Sequence, residues 1–176
     1  MTQGPSGPLS GDQGPPGGPT APVRSARRTA LLIAVAAAVV ALDQLSKFWA
    51  TSVLYDGPIE LVGSLRLALT TNTAGAFGLG GSYVPFLALG ALGLVIWMAL
   101  TGEATKRPLV SVAAGLVLGG AIGNLLDRMF RSPGFLRGAV VDFVDLRWWP
   151  VFNLADAAIT CGCILLLLSG FRGRKA

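Results

Sequence analysis

Histidine is absent from all 176 residues of the chain. Its absence excludes serine and cysteine nucleophiles that rely on an imidazole base, and it excludes the usual zinc ligand sets. The two cysteines, Cys161 and Cys163, lie two positions apart in an apolar run, where helical side chains diverge, so we expect neither a disulfide nor a metal site there. Any chemistry must therefore use carboxylates, amides, hydroxyls, Lys or Arg.

Charged residues are also scarce. They make up 13% of the chain, against 52% hydrophobic residues, and the mean hydropathy is +0.63. This balance is typical of a membrane protein and not of a soluble domain.

The chain divides into a tail and a membrane domain. The first 22 residues contain six Gly and six Pro, a mixture that buries nothing, so we predict a disordered tail over 1–22 and a membrane domain over 23–176. Four apolar segments are long enough to cross a bilayer, at about 29–49, 83–100, 108–128 and 152–171. A cleaved signal peptide would also place basic residues before the first of these, but the three further segments favour a retained span. The predicted fold class is thus an α-helical integral membrane protein with four transmembrane helices.

The basic residues predict the orientation. Eight of the fourteen Lys and Arg lie in the termini and in the 101–107 loop, whereas the opposite side holds seven of the nine acids. An excess of Lys and Arg marks cytoplasmic flanks, so we expect both termini in the cytoplasm and the loops at about 50–82 and 129–151 outside. Within the first outer loop, 65–70 alternates with period two and predicts a short strand.

Polar side chains collect at the outer ends of three predicted spans. Ionisable groups at membrane depth are costly and indicate a functional site by default. Helical spacing places the members from each span on one face. They are Asp43 and Lys47 in the first span, Asn124, Asp127 and Arg128 in the third, and Asn153 and Asp156 in the fourth. The Gly residues at 115, 119 and 123 would let another helix approach the third span closely.

The charges of this pocket do not balance in pairs. Lys47 can neutralise Asp43, and Arg128 can neutralise Asp127 or another acid, which leaves Asp142 and Asp156 without an obvious cation. Two carboxylates that converge in a poorly solvated place share a proton. One can then activate water while the other polarises a carbonyl, as in aspartic proteases.

Other interpretations of the same residues stay open. Asp43 and Lys47 also fit a simple interfacial ion pair, Asp142 and Asp145 fit solvated loop acids, and Asp156 fits a helix cap. At the level of function, the membrane carboxylates also fit a small proton-coupled transporter or relay, or a structural scaffold.

Five sequence blocks resemble those of bacterial lipoprotein signal peptidase (signal peptidase II), a family of membrane aspartic peptidases. The blocks are DQLSK at 43–47, NTAGAFG at 72–78, GGAIGNLLDR at 119–128, GAVVDF at 138–143 and FNLAD at 152–156. They occur in the order of the family. One departure is visible, because family members usually read Asn-x-Gly-Ala-Ala-Phe where this chain exchanges Ala74 and Gly75.

The resemblance implies an endopeptidase that cuts the signal peptide from diacylglyceryl-modified prolipoproteins just before the lipidated Cys. It implies Asp142 and Asp156 as the catalytic pair, without cofactor or metal. It also implies a four-helix bundle with a small extracytoplasmic β-cradle, in the bacterial cell membrane, with the active site at the outer face. We expect a monomer whose partners are the membrane-embedded substrate and the bilayer, and no nucleic acid. The supporting polar residues that the resemblance implies are Asp43, Lys47, Asn72, Asn124, Asp127, Arg128 and Asn153.

Overall fold

The computed structural model describes residues 1, 21–72 and 107–172 apart from 133 and 136, together with isolated positions between 93 and 104. The helices are α1 (Ala21–Val53), α2 (Pro108–Phe130) and α3 (Leu154–Arg172). The strands are β1 (Ile59–Val62), β2 (Leu65–Asn72) and β3 (Val140–Asp145).

The helices follow three of the four predicted spans. In the described part of the chain, two helical stretches are long and apolar enough to cross a membrane, Ser25–Val53 and Pro108–Phe130, and α3 contains a shorter apolar stretch, Leu154–Ser169. The protein is therefore mostly helical with membrane-spanning candidates. The second predicted span, 83–100, lies outside the described residues except for positions 93, 96–98 and 100, which are helical.

The boundary between tail and helix differs from the prediction. Helix α1 begins at Ala21, two residues inside the segment predicted to be disordered, and residues 2–20 of that segment lie outside the described residues. Pro22 does not prevent this start, because a proline in the first turn of a helix has no intrahelical hydrogen bond to lose. Pro108 opens α2 in the same way.

Small residues bring the helices together. Helix α2 packs against both α1 and α3, and a Cβ added to Gly119 would lie 2.7 Å from the backbone oxygen of Ala36 in α1. Gly115 also faces α1, and Gly123 would place a Cβ 2.6 Å from the Oδ2 atom of Asp43. The predicted close approach along the Gly115, Gly119 and Gly123 face is thus confirmed. On another face of α2, Gly120 meets Ala155 of α3.

A three-stranded antiparallel sheet in the order β1-β2-β3 covers one end of the helices. Strand β2 contains the predicted strand at 65–70. Strand β3 comes from the loop at 129–151, for which we predicted no strand, because VVDFVD has apolar residues and an Asp on each face and does not alternate. Its residues Val141 and Phe143 pack in a buried cluster with Ala50 of α1 and with Leu54, which follows the helix. The sheet is therefore fixed to the C-terminal end of α1.

We predict that Gly120→Ala destabilises the protein. Its Cβ would lie 2.5 Å from the backbone oxygen of Ala155 and 2.7 Å from Cγ1 of Ile159, so α2 and α3 must separate. We expect a loss of about 1–3 kcal/mol, which is typical of overpacking. Thermal unfolding in detergent, followed by circular dichroism, measures it. Gly134→Ala is the control because nothing lies within 4 Å of its added Cβ, and equal stabilities of the two variants would contradict the packing argument.

Candidate active site

A buried lysine links two helices at the polar end of the bundle. The side chain of Lys47 is fully buried, and its Nζ atom lies 2.8 Å from Oδ2 of Asp43 and 2.8 Å from Oδ2 of Asp127. It also donates a hydrogen bond of 3.0 Å to Oδ1 of Asn124. The predicted pairing of Asp43 with Lys47 is confirmed, and the full burial of both side chains excludes a solvated interfacial pair.

Arg131 is a site residue that the sequence argument missed. Its Nε atom donates a 2.7 Å hydrogen bond to Oδ1 of Asp127, so Asp127 is paired with Lys47 and Arg131. Arg128 interacts electrostatically with Asp142, Asp156 and Asp127. Both possibilities that the sequence left open for Arg128, Asp127 and another acid, are therefore present. The spacing of four between Asp127 and Arg131 is the signal that points to this pair.

Asn153 and Asp156 cap the start of α3 reciprocally. The backbone N–H of Asp156 donates to Oδ1 of Asn153 at 2.9 Å, and the backbone N–H of Asn153 donates to Oδ2 of Asp156 at 3.4 Å. This is the geometry of a capping box. The helix-cap interpretation of Asp156 is therefore correct, but it does not use the whole carboxylate, because Oδ1 accepts a 2.8 Å hydrogen bond from Nδ2 of Asn124.

Asp142 meets the same asparagine from the sheet. It lies in β3 opposite Thr70 and is 2% exposed, so it is not a solvated loop acid. Its Oδ1 atom accepts a 2.7 Å hydrogen bond from Nδ2 of Asn153, and the side chain of Asn72 donates a second hydrogen bond. Asn153 therefore donates to both carboxyl groups, to Asp142 from its side-chain amide and to Asp156 from its backbone N–H.

The environment of Asp142 favours its protonated form. Burial, followed by the negative charge of Asp156, raises the pKa of Asp142 from its ordinary value to about 6. The hydrogen bonds from Asn72 and Asn153 and the positive charge of Lys47 oppose this rise without cancelling it. A carboxyl group with this pKa can hold or release a proton near neutral pH.

Asp145 has a different role, although it lies three residues further along the same strand. The backbone N–H of Arg147 and the guanidinium of Arg66 hold the pKa of Asp145 below its ordinary value. Both hydrogen bonds are 2.7 Å long. Asp145 therefore joins strands of the sheet, and it is no candidate for a shared proton. It is also not a solvated loop acid, because it is 6% exposed.

Gln44 is a second residue that the sequence argument did not place in the site. Its Nε2 atom donates to Oδ2 of Asp43 at 3.2 Å, to the backbone oxygen of Gly123 at 3.1 Å and to Oδ1 of Asp127 at 3.3 Å. Its place directly after Asp43 in the DQLSK block is the available signal. The exchanged pair Ala74 and Gly75 lies outside the described residues.

The site thus combines two kinds of acid. Asp43 and Asp127 contact cations, whereas Asp142 and Asp156 contact amides from Asn72, Asn124 and Asn153. Ion pairs hold Asp43 and Asp127 in place. Asp142 and Asp156 contact neutral amides instead, so their carboxyl groups can accept or release a proton. Within the described part of the chain, no group of three or more Cys, Asp or Glu side chains is arranged to hold a metal ion.

Comparisons with known proteins identify a family. The family model described as signal peptidase (SPase) II matches residues 35–172. The lipoprotein signal peptidase of Mycolicibacterium smegmatis is 43% identical over 169 residues, covering 95% of this chain and 72% of that protein. The lipoprotein signal peptidase of Streptomyces coelicolor is 44% identical over 153 residues, covering 85% and 74%.

Two solved structures of bacterial membrane enzymes are similar to this chain. A bacterial membrane enzyme solved at 2.3 Å resolution superposes with a TM-score of 0.66 at 26% identity, covering 80% of this chain and 87% of that one. A second, solved at 1.9 Å, has a TM-score of 0.63 at 27% identity, covering 78% and 90%. By the match along 35–172 and by its relatives, the chain belongs to the signal peptidase II family.

Proposed function

We propose that Asp142 and Asp156 are the catalytic pair with which this peptidase cleaves the signal peptide from prolipoproteins. The observation that carries the proposal is that one residue, Asn153, hydrogen-bonds to both carboxyl groups. The raised pKa of Asp142 supports it, because two neighbouring carboxyl groups then hold one proton between them.

The reaction follows from that shared proton. The ionised carboxylate takes a proton from water as the water attacks the scissile carbonyl, and the protonated partner donates to the carbonyl oxygen. The resulting gem-diol collapses when a proton passes to the departing amine. Neither aspartate is assigned to one role at rest, because a coupled pair titrates as a unit.

The surrounding side chains position these groups. Asn72, Asn124 and Asn153 donate hydrogen bonds to the two carboxyl groups and fix their orientation. Arg128 is 6% exposed and places a positive charge near both acids. Because Asn72, Asn124 and Asp156 are partly exposed while Asp142 is buried, we infer that the peptide approaches from the side of these three residues.

The substrate we propose is a membrane-embedded precursor with a diacylglyceryl-modified Cys, cut just before that residue. The exposed apolar surface of the helices suits acyl chains, with Phe48, Leu45 and Ile164 at least half exposed. We propose a monomer that needs only this substrate and the bilayer, with no nucleic-acid partner and no cofactor.

We further propose four transmembrane helices in the bacterial cytoplasmic membrane, with both termini inside and the active site at the outer face. The distribution of basic residues supports this orientation. The three-stranded sheet would then be the β-cradle on the outer side. Trp148 and Trp149, both exposed and in edge-to-face contact, suit the membrane interface there.

The alternative of a proton-coupled transporter or relay is not supported. The family consists of peptidases, and the described polar cluster occupies one end of the helices. Further along, Leu32, Ala114 and Val117 form an apolar cluster, whereas a relay needs polar groups through the membrane thickness.

Replacing either catalytic aspartate should stop cleavage. We expect Asp142→Asn and Asp156→Asn each to lower kcat about 1,000-fold or more, because the pair loses its acid or its base. The assay follows release of the signal peptide from a purified lipidated precursor in detergent. Asp145→Asn is the matched control, since it makes the same change on the same strand in a residue bound to Arg66. Near-normal cleavage by either catalytic variant would remove that aspartate from the mechanism.

The titration of Asp142 should depend on Asp156. We expect the infrared carbonyl band of protonated Asp142, assigned by its loss in Asp142→Asn, to disappear with a midpoint near pH 6. In Asp156→Asn the midpoint should fall, because removing a negative charge makes ionisation of Asp142 easier. An unchanged midpoint would mean that the two carboxyl groups do not interact.

Reporter fusions test the orientation. Alkaline phosphatase, active only outside the cytoplasm, should be inactive when fused after Ala176 and active when fused in the loop at 129–151. The opposite pattern, or activity at both places, would reject the proposed orientation.

A further inference from the structure

We propose that Lys47 is a positioning residue for both catalytic aspartates, although it bonds to neither. The inference rests on the proposed function of Asp142 and Asp156. In the described part of the chain, Lys47 forms no ion pair or hydrogen bond with these two residues. However, each of the three residues that it contacts bonds either to Asp156 or to the residue before a catalytic aspartate.

The first connection runs through Asp43 to the start of α3. One carboxylate oxygen of Asp43 contacts Lys47 at 2.8 Å, and the other accepts a 3.0 Å hydrogen bond from the backbone N–H of Ala155. This N–H belongs to the first turn of α3, where backbone donors have no intrahelical partner. Ala155 directly precedes Asp156, so Asp43 fixes the backbone that carries the second catalytic acid.

The second connection runs through Asp127 to the sheet. Its Oδ2 atom contacts Lys47 at 2.8 Å and also accepts a 3.3 Å hydrogen bond from the backbone N–H of Val141. Val141 directly precedes Asp142. The two acids held by Lys47 therefore each anchor the residue before a catalytic aspartate.

The third connection orients an amide. Oδ1 of Asn124 accepts hydrogen bonds from Nζ of Lys47 at 3.0 Å and from Nδ2 of Asn153 at 3.1 Å. With its oxygen turned to these donors, Asn124 must present Nδ2 to Asp156, and that hydrogen bond is 2.8 Å long. The ammonium, together with the amide of Asn153, thus determines which end of the Asn124 amide faces the catalytic acid.

Charge balance makes Lys47 necessary for all three connections. Two carboxylates, Asp43 and Asp127, face two cations, Lys47 and Arg131, and among the described residues the ion pair of Arg131 is with Asp127. Without Lys47, Asp43 would lose its described cation, and the two buried carboxylates would repel each other. Their movement would pass directly to Ala155 and Val141, and hence to the spacing of the catalytic pair.

The test uses the full-length protein in detergent with a diacylglyceryl-modified precursor, and compares four variants. Lys47→Met removes the charge and leaves an unbalanced acid. Asp43→Asn with Lys47→Met restores the balance and keeps an oxygen for the N–H of Ala155. Asp43→Ala with Lys47→Met has the same charge but lacks that oxygen. Ile33→Met, at a 58% exposed position on the same helix and ten residues before Asp43, is the control and should match the unmodified enzyme.

We expect Lys47→Met to lower kcat about 100-fold, the effect typical of a small misplacement of reacting groups, with KM changed by less than roughly threefold. The double variant Asp43→Asn with Lys47→Met (the Asn-Met variant) should have a kcat about tenfold above that of Lys47→Met, because its charges balance again. The double variant Asp43→Ala with Lys47→Met (the Ala-Met variant) should not show this recovery.

The titration of Asp142 measures how the charge of Lys47 acts on the catalytic pair, independently of kcat. The charged groups that act on Asp142 are Asp156 from α3, Lys47 from α1 and, by its interaction with both acids, Arg128 from α2. Lys47→Met should therefore raise the midpoint of the Asp142 infrared titration, since a positive charge is lost, and the Asn-Met variant should bring it back.

The outcomes separate this inference from the proposed function. If Asp142→Asn and Asp156→Asn are inactive while Lys47→Met keeps the kcat and the midpoint of the unmodified enzyme, only the role of Lys47 is rejected. If Lys47→Met does not fold, the test compares the kcat values of the Asn-Met and Ala-Met variants. A higher kcat for the Asn-Met variant would support the anchoring of Ala155 through residue 43, and equal values would reject it. Activity in Asp142→Asn or Asp156→Asn would instead reject the proposed function.

Discussion

The rest of the site depends on one buried ammonium group between two carboxylates. Lys47, Asp43 and Asp127 are at most 1% exposed and come from two helices. Charges removed from water destabilise a protein unless they are paired and fully hydrogen-bonded. Here Gln44 and Arg131 supply the remaining donors, together with backbone N–H groups of the sheet and of α3. The ion cluster therefore requires α1, α2, α3 and the sheet to meet at one place.

This arrangement allows acids of the same type to have different roles within one pocket. Asp43 and Asp127 are held by cations and bind backbone, whereas Asp142 and Asp156 are held by asparagine amides. An amide donor supports a carboxyl group without the full positive charge that would fix it in the ionised state. Burial and the neighbouring acid can then keep a proton on Asp142 near neutral pH. In the proposed mechanism, aspartates alone supply the structural anions and the catalytic acid and base, because their contacts differ.

Local spacing predicted the parts of the site that lie on single helices. The intervals from Asp43 to Lys47 and from Asn153 to Asp156, and the glycines of α2, all led to contacts that the structure contains. Strand β3 was missed because each of its faces carries apolar residues and an Asp, and its pairing with β2 joins residues 68 to 79 positions apart. The prediction for Asp127 was also incomplete, because it considered the adjacent Arg128 and not Arg131, which lies one helical turn away. Contacts within a helix follow from periodicity, whereas contacts between elements depend on the packing of the whole chain.

The most direct measurement is a crystal structure of the enzyme with a precursor peptide whose scissile amide is replaced by an uncleavable hydroxyl-bearing isostere. The account predicts that this hydroxyl lies between Asp142 and Asp156, within about 2.6–3.2 Å of an oxygen from each, with Asn153 still bound to both. A hydroxyl that contacts neither carboxyl group, or carboxyl groups that turn to separate surfaces when the peptide binds, would contradict the account.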